Sequence, residues 1–442
     1  MKLLRGLYLT DRFYIGLLTI AFVFILAFLF PILMVLAQGA LVLLLAVVML
    51  ELLILFRPKT PINASRTVQN PISLGDENPV KIIVNSTYRF PIRLQIYDNP
   101  PVQLQLRDQH YQLLLQSNQS KNVSYQIRPT DRGIYHFEDL FVYSSALLHF
   151  VQRKITIPQQ EDITAYPSIL QMKKIDLKVF SKTASVGIKK IRRLGHNNEF
   201  EQIKNYIQGD DLRTVNWKAT SRRNELMVNQ YQDERSQHIY SIIDKSRAMR
   251  MPFKELSLLD YAINSTLAFS NVAMKKGDKV GIHTFSNKLG HFLKADRSAL
   301  QLKRIMDLLY YQKTKFLEAD FNLLYANIRN KIKGRSLIML YTNIETEYAL
   351  KRILPHLKRI AQNHLLVVIF FENTEIEALI KEAPKHVGDI YLKTFAQKYQ
   401  LDKKRIAFEL KRNGIQTILT NPNNLSVDTV NKYLEMKSRG MI

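Results

Sequence analysis

The chain has 442 residues, no cysteine and a formal net charge of +25, because 63 Lys and Arg residues outnumber 38 Asp and Glu residues. At roughly 150 residues per domain, this length predicts about three structural units. A hydrophobic share of 46% excludes a globally disordered chain. The lack of cysteine excludes disulfides, thiolate zinc sites and thiol nucleophiles, and it fits a reducing compartment. The positive charge favours contact with nucleic acid, anionic lipid or an acidic partner.

The first sixty residues contain an apolar run that predicts a membrane anchor. Residues 13–50 form a run of 38 residues that only Thr19 and Gln38 interrupt seriously. One straight helix of this size would be ~57 Å long, whereas a hydrocarbon layer of ~30 Å is crossed by about 20 residues. Two transmembrane helices, at residues 13–30 and 34–56, therefore fit better than one. A cleaved signal peptide does not fit so long a run, and a buried soluble hairpin is the alternative.

The charges around this run predict its orientation. Pro31 breaks the run, and the connection around it is uncharged. Positively charged flanks stay in the cytoplasm. We therefore expect residues 1–59 to form a transmembrane hairpin in the cytoplasmic (inner) membrane, with both termini and the soluble domains cytosolic. The flanking cations are Lys2, Arg5 and Arg12 before the first helix, and Arg57 and Lys59 after the second.

Residues 60–165 predict a β-sandwich-like module. Short runs alternate between apolar and polar residues and are separated by turn signals, which indicates strands with one buried face. No catalytic grouping is visible, because His110, His136 and His149 lack the spacing of metal ligands. A binding or spacer role is the expectation. The alternating runs are residues 80–84, 92–96, 102–106 and 123–127.

Residues 166–237 predict a basic linker that leads into a distinctive segment. Between residues 171 and 198 the lysines and arginines greatly outnumber the single acid Asp176. Next to a membrane anchor, such a stretch favours contact with anionic lipid head groups, and a solvated linker is the plain alternative. Nucleic-acid binding is less expected, since no aromatic interleaving or known binding motif accompanies the charges.

Residues 238–442 alternate strand and helix patterns, which predicts a mostly parallel central sheet covered on both faces. Ligands of such sheets usually bind beyond the carboxyl ends of the strands. The predicted strands are residues 238–243, 279–285, 336–341, 365–371 and 415–419, with a short edge strand at 289–293. The predicted helices are residues 256–274, 300–310, 321–332 and 347–361, and a last helix from about residue 426.

Two loops at that edge carry candidate cation ligands. Asp244 and Ser246 leave the first strand together, and hard divalent cations such as Mg²⁺ take oxygen ligands of this kind. Asn343 follows a later strand of the same sheet. Asp244, Ser246 and Asn343 are therefore interpreted as a degraded cation site. The alternative is that Asp244 and Ser246 only cap the following turn.

The distinctive segment resembles the signature of the bacterial domain-of-unknown-function family fifty-eight. Read physically, an amphipathic stretch ends at a glycine, and either of two following aspartates can cap a short helix that presents Arg213 and Trp217 one turn apart. The resemblance continues through Glu234 and Arg235 to Asp244. The matching signature residues are Glu199, Phe200, Tyr206, Gly209, Asp210, Asp211, Arg213, Trp217, Lys218, Ala219 and Arg222.

This resemblance implies a von Willebrand factor A-like α/β domain at the end of the chain. In such domains Asp-x-Ser-x-Ser, a Thr and an Asp often bind Mg²⁺; here Ala248 replaces the second Ser, Asn343 the Asp, and Glu318 or Asp320 lies near the expected Thr. The resemblance also implies genes for MoxR-type AAA+ ATPases as neighbours. It brings no catalytic residues with it.

These observations favour a non-enzymatic role. The chain has no P-loop, dinucleotide fingerprint, His-Glu-x-x-His or nucleophile-elbow motif. We expect a membrane-anchored, cytosol-facing scaffold or adaptor that acts with a MoxR-type AAA+ ATPase in protein assembly or maturation. The alternative is a basic membrane-surface module that binds anionic lipid or nucleic acid; an unrecognised enzyme is the third option.

Overall fold

The computed structural model describes residues 6–58, 60–106, 110–146, 148–185, 198–208, 210, 212–233, 237–381, 383–384 and 386–442, without the side chains of residues 178–185, 198–202, 230–233 and 377. The chain divides into two compact units, Met1–Tyr166 and Pro167–Ile442. Both combine helices with β-sheets, so the chain is a mixed α/β protein.

The first unit consists of two long helices and a β-rich module. The helices are α1 (Asp11–Ala27) and α2 (Ile32–Phe56), and a 3-10 turn covers Val102–Leu104. The strands are β1 (Leu7–Leu9), β2 (Ile62–Val68), β3 (Ile72–Ser73), β4 (Asn78–Ser86), β5 (Ile92–Asp98), β6 (His110–Leu115), β7 (Ser120–Ile127), β8 (Gly133–Phe137), β9 (Leu140–Ser145), β10 (Val151–Ile157) and β11 (Glu161–Tyr166).

The two helices pack against each other along apolar faces. A Cβ atom added to Gly16 would lie 3.6 Å from Leu44 Cδ1, so the helix backbones approach closely there. Pro31 separates the helices, as predicted, and is the N-cap residue of α2. Within the described residues, α2 is the helix long and apolar enough to cross a membrane, whereas α1 has 17 residues.

The β-rich module closes around one hydrophobic core. Its strands form sheets with the orders β1-β10-β9-β5-β6, β2-β4-β7 and β3-β11-β8. Inward-facing residues such as Ile82 and Leu94 are fully buried and alternate with outward-facing ones, which confirms the strands predicted at 80–84, 92–96 and 123–127. The prediction of a strand at residues 102–106 is wrong. Pro101 fixes the backbone angle that starts a 3-10 turn there, and Gln105 ends the turn with a φ of 52°.

Both ends of the helix pair are fixed to this module. Before α1, strand β1 pairs with β10, and the backbone N–H of Thr10 donates to the carbonyl of Phe150 at 3.0 Å. Near the end of α2, the buried carboxylate of Glu51 accepts four backbone N–H groups of residues 148–151, at distances of 2.9–3.1 Å. The last turn of α2 is therefore attached to the module by charge-assisted hydrogen bonds.

The second unit is built around a sheet with the order β18-β17-β14-β19-β20-β21. Its strands are β12 (Asn198–Asn205), β13 (Met227–Asp233), β14 (His238–Asp244), β15 (Pro252–Phe253), β16 (Leu256–Ser257), β17 (Lys279–Phe285), β18 (Leu289–Asp296), β19 (Leu337–Tyr341), β20 (Leu365–Phe371) and β21 (Gln416–Thr420). Its helices are α3 (Ile169–Ser185), α4 (Trp217–Arg223), α5 (Leu258–Lys275), α6 (Gln301–Tyr310), α7 (Phe321–Lys331), α8 (Glu347–Asn363), α9 (Thr374–Lys381), α10 (Val387–Arg412) and α11 (Leu425–Ser438).

This sheet is parallel except at its edge. Strands β17, β14, β19, β20 and β21 run parallel, and β18 pairs antiparallel with β17. Helices α3, α5 and α11 pack together, as do α7, α8 and α10. The predicted strand–helix alternation and the predicted edge strand are thereby confirmed. The carboxyl ends of β14, β19 and β20 meet at one edge, called the carboxyl edge below.

Candidate functional site

Asp244 lies at the end of β14 on the carboxyl edge and is almost completely buried. Its Oδ1 accepts the backbone N–H of Ser246 at 2.8 Å, and its Oδ2 accepts the hydroxyl of Thr342 at 2.8 Å. Burial raises the pKa of the Asp244 carboxyl, although these hydrogen bonds act against the shift. The hydrogen bonds of Asp244 thus connect the loop after β14 to the loop after β19.

Asn343, the next residue of that second loop, faces a buried lysine. The ammonium of Lys403, from α10, donates to Asn343 Oδ1 at 2.8 Å, and Lys403 is 2% exposed. Burial lowers the pKa of Lys403 to about 8, while Glu345 and Glu372 favour its charged form. The ammonium of Lys403 therefore lies at the carboxyl edge and bonds to Asn343 Oδ1, the oxygen that would have to bind a metal ion.

The predicted cation ligands reach the same edge, but other groups already bond to them. Both carboxylate oxygens of Asp244 accept hydrogen bonds, and Asn343 Oδ1 accepts one from Lys403. Across the described part of the chain, no group of three or more His, Asp and Glu side chains is placed to hold a metal ion. The cation site stays a prediction, and this geometry favours an internal ammonium over a bound Mg²⁺.

Glu318 and Asp320, which lie near the position expected for a threonine ligand, have structural roles. Asp320 caps α7, since its Oδ1 accepts the backbone N–H of Leu323 at 2.9 Å. Glu318 lies on the surface, where it forms a salt bridge of 2.8 Å with Arg352.

Because of Lys403, the free energy of unfolding of the second unit is expected to depend on pH. Its pKa in the folded protein is about 8, whereas an unfolded lysine titrates near about 10.4. Between these values the unfolded chain binds the proton and the folded chain does not, so the contribution of Lys403 to stability is lost as the pH falls towards 8. Between pH 8 and pH 10, we expect the free energy of unfolding of the unaltered chain to rise by about 2 kcal/mol more than that of Lys403→Met.

Urea unfolding of the full-length protein in detergent, followed by circular dichroism at several pH values, measures this difference. Lys404→Met is the matched control, because Lys404 is the exposed neighbour of Lys403 on the same helix. The control is expected to follow the unaltered chain. Parallel pH curves for Lys403→Met and the unaltered chain would contradict the assigned role of Lys403.

Helix α10 extends well beyond the carboxyl edge. Its 26 residues span ~39 Å at ~1.5 Å per residue. Lys403 lies at the level of the edge, whereas Ile406 and Leu410 pack in the core beneath it. The first half of α10, about 20 Å long, therefore lies on the side of Lys403 away from that core. We call its exposed apolar residues the α10 overhang: Val387, Ile390, Tyr391, Leu392 and Phe395, which are 71%, 54%, 65%, 57% and 67% exposed.

The signature segment forms a β-hairpin with a short helix between its strands. The prediction that an aspartate caps this short helix is wrong. Helix α4 begins at Trp217 and is capped by Asn216, whose Oδ1 accepts the N–H of Ala219 at 3.0 Å. Asp210 instead accepts from the Lys204 ammonium at 2.8 Å and from the N–H of Ile207 at 3.0 Å. The hydrogen bond from Lys204 holds the pKa of Asp210 below its usual value.

The signature residues are spread over this hairpin. Trp217 is 71% exposed, and Arg213 lies in a separate 3-10 turn, so the two do not share one helix. Tyr206 donates its backbone N–H to the carbonyl of Leu226 at 2.7 Å. The remaining signature residues divide into exposed side chains on α4 (Lys218 and Arg222), residues of β12 whose side chains are not described (Glu199 and Phe200), and residues outside the described ranges (Gly209 and Asp211).

Part of the predicted basic linker also falls outside the described residues. Its first part forms α3, where the ammonium of Lys275 on α5 donates to the carboxylate of Asp176. Residues 186–197 are not described. The prediction that this stretch contacts anionic lipid or nucleic acid therefore stays a prediction.

Sequence reasoning missed Lys403, although a signal was present. Lys403 stands three residues before Ile406 and seven before Leu410, which is the spacing of the buried stripe of α10. A lysine in an apolar register is a candidate for a buried, partnered charge, and the many other lysines of this helix concealed it.

Part of the chain matches the model of a protein family. Residues 202–397 match the family model described as "Protein of unknown function DUF58". The "Uncharacterized protein YeaD" of Bacillus subtilis (strain 168) is 21% identical over 128 residues, which cover 28% of this chain and 31% of that protein. The match thus spans about a third of that curated relative.

Solved structures resemble only short parts of the chain. The ASH/PapD-like domain of human CEP192 matches with 15% identity and a TM-score of 0.17, over 23% of this chain and 86% of that domain. The CARDB domain of PF1109 from Pyrococcus furiosus matches with 9% identity and a TM-score of 0.16, over 22% of this chain and 94% of that domain. Scores this low carry no argument about fold or function.

Proposed function

We propose that the protein is a non-enzymatic, membrane-anchored adaptor whose soluble parts face the cytosol and bind a MoxR-type AAA+ ATPase during protein assembly or maturation. Its second unit, in this proposal, has a von Willebrand factor A-like fold. The mostly parallel sheet with helices on both faces supports that assignment, and the match to the DUF58 model supports the resemblance on which the ATPase partner rests.

A hairpin anchor with both ends on one side is part of this proposal. Strand β1 before α1 and Glu51 near the end of α2 both bond to the same segment around β10. Large apolar side chains remain exposed along both helices, including Leu18, Phe22 and Leu43. Lipid is the solvent that such surfaces require.

The observation that carries the adaptor role is the α10 overhang. Monomeric proteins rarely expose a contiguous apolar surface of this kind unless another molecule covers it. The overhang lies beyond the carboxyl edge, where sheets of this type present their binding surfaces. Tyr391 and Phe395 are the large aromatic residues there, and aromatic side chains contribute most to protein–protein affinity.

Binding of the purified ATPase to the full-length protein in nanodiscs tests the proposal. We expect the double variant Tyr391→Asp/Phe395→Asp to weaken binding at least about 100-fold, because burying two aromatic anchors typically contributes several kcal/mol. The variant is expected to keep the unfolding transition of the unaltered chain, since both side chains are exposed. Surface plasmon resonance measures the affinity.

Leu300→Asp is the matched control, because Leu300 is an exposed apolar residue at the opposite, amino edge of the sheet. It is expected to bind the ATPase like the unaltered chain. Equal affinities for all three proteins would contradict the role of the overhang, and no binding by the unaltered chain would contradict the ATPase partner.

A further inference from the structure

Three basic residues, Arg12, Arg93 and His149, lie where the helix pair joins the β-rich module. Arg12 lies in the first turn of α1, and its guanidinium is 3.5 Å from the carbonyl oxygen of Leu148. Arg93 lies on β5 opposite Ser145, whose hydroxyl is 2.6 Å from Nδ1 of His149. Burial and the charges of Arg93 and Arg12 lower the pKa of His149.

The buried carboxylate of Glu51 does not form a salt bridge with these arginines. Glu51 uses both of its oxygens for the four backbone N–H groups of residues 148–151. Arg12 and Arg93 are exposed, and neither forms a salt bridge with any residue that the structure describes. Two guanidinium groups without a carboxylate partner among the described residues can therefore donate hydrogen bonds to an anion from solvent or from a lipid surface.

The cluster also lies at the level where a membrane surface would be. Gly16 is opposite Leu44, so Arg12, about one helical turn earlier, is opposite the region of residue 48, and Glu51 lies about one turn nearer the module. Beyond Arg12 both helices are apolar to the turn at Pro31. The large exposed apolar residues of this stretch include Leu18, Phe22, Ile25, Phe28, Val35 and Leu43.

We propose that Arg12, Arg93 and His149 form a binding site for the phosphate group of an anionic phospholipid in the leaflet that the helix pair enters. The two guanidinium groups supply charge-assisted hydrogen bonds to the phosphate oxygens. The acyl chains then lie along the exposed apolar faces of α1 and α2. This inference rests on the proposed membrane anchor, which requires only the apolar helices and no particular head group.

Lipid selectivity of the full-length protein tests the site. The protein is reconstituted in phosphatidylcholine bilayers that contain a small fraction of spin-labelled phosphatidylglycerol or phosphatidylcholine, and the bound fraction of each is measured. We expect the unaltered chain to prefer phosphatidylglycerol by about tenfold at low salt, and Arg12→Gln/Arg93→Gln to lose that preference. Lys81→Gln/Lys121→Gln is the matched control, with the same change of charge on strands β4 and β7.

The outcomes separate this site from the anchor itself. Flotation of all variants with liposomes of phosphatidylcholine alone is expected, and failure of the unaltered chain to float would contradict the anchor. Flotation without any preference for phosphatidylglycerol, or a preference that survives in Arg12→Gln/Arg93→Gln, would overturn the lipid site. Binding of inorganic phosphate to the unaltered chain without any preference for phosphatidylglycerol would show a site for free phosphate and would also overturn it.

Discussion

Replacing Glu51 with alanine is expected to lower the free energy of unfolding of the first unit by about 3–5 kcal/mol, because four backbone N–H groups would lose one charged acceptor. Glu51 is 2% exposed, so water does not easily replace its carboxylate. The substitution would also release the last turn of α2 from the loop before β10 and thereby loosen the attachment of the helix pair.

Urea unfolding of the full-length protein in detergent measures the loss, and amide hydrogen exchange localises it. We expect faster exchange at the amides of residues 148–151 in Glu51→Ala, with no change in the second unit. Glu77→Ala is the control, since Glu77 is exposed in the same β-rich module. A stability equal to that of the control would show that the four hydrogen bonds do not hold the helix pair to the module.

Loss of Arg66 is expected to destabilise the same unit by a similar amount, about 3–5 kcal/mol, because a carboxylate would be left buried without its counter-ion. Arg66 Nη1 lies 2.7 Å from Asp98 Oδ1, and the two side chains are 1% and 0% exposed. The hydroxyl of Tyr125 donates to Asp98 Oδ2 at 2.6 Å. Burial and the charge of Asp98 raise the pKa of Tyr125, so this hydroxyl keeps its proton.

A double-mutant cycle of Arg66→Ala and Asp98→Ala, followed by urea unfolding, measures the coupling between the two side chains. We expect a coupling energy of about 2–3 kcal/mol, because the double variant removes both buried charges. The exposed pair Arg352 and Glu318, with a distance of 2.8 Å, is the comparison, for which about 0.5 kcal/mol or less is expected. Additive effects at Arg66 and Asp98 would contradict the buried network.

Periodicity predicted most of the second unit because its elements are regular. Strands β17 and β20 have the bounds that their apolar runs predicted, and α6, α7 and α8 begin within one residue of the predicted positions. Buried strands of a parallel sheet read as continuous apolar runs, and amphipathic helices repeat with a period near 3.6. Both signals are local, so one sequence is sufficient to find them.

The contacts that organise the sites join residues far apart in the chain, and local patterns do not encode them. Glu51 bonds to residues almost one hundred positions away, and Lys403 reaches Asn343 across 60 positions. The misplaced helix cap at Asn216 has a different cause, since several Asp and Asn residues nearby suit that position equally. For Glu51 and Lys403, the visible clue is a charged residue within an apolar pattern.

In the proposed topology, the helix pair anchors the soluble parts to the cytosolic face of the membrane, and thiol labelling tests this most directly in the cysteine-free chain. Ser117→Cys and Ser438→Cys place single thiols at exposed positions of the two units, and Leu29→Cys places one at the turn between the helices. We expect a membrane-impermeant maleimide added to intact cells to label only Leu29→Cys, and the other two only after permeabilisation. Labelling of Ser117→Cys or Ser438→Cys in intact cells would contradict the account.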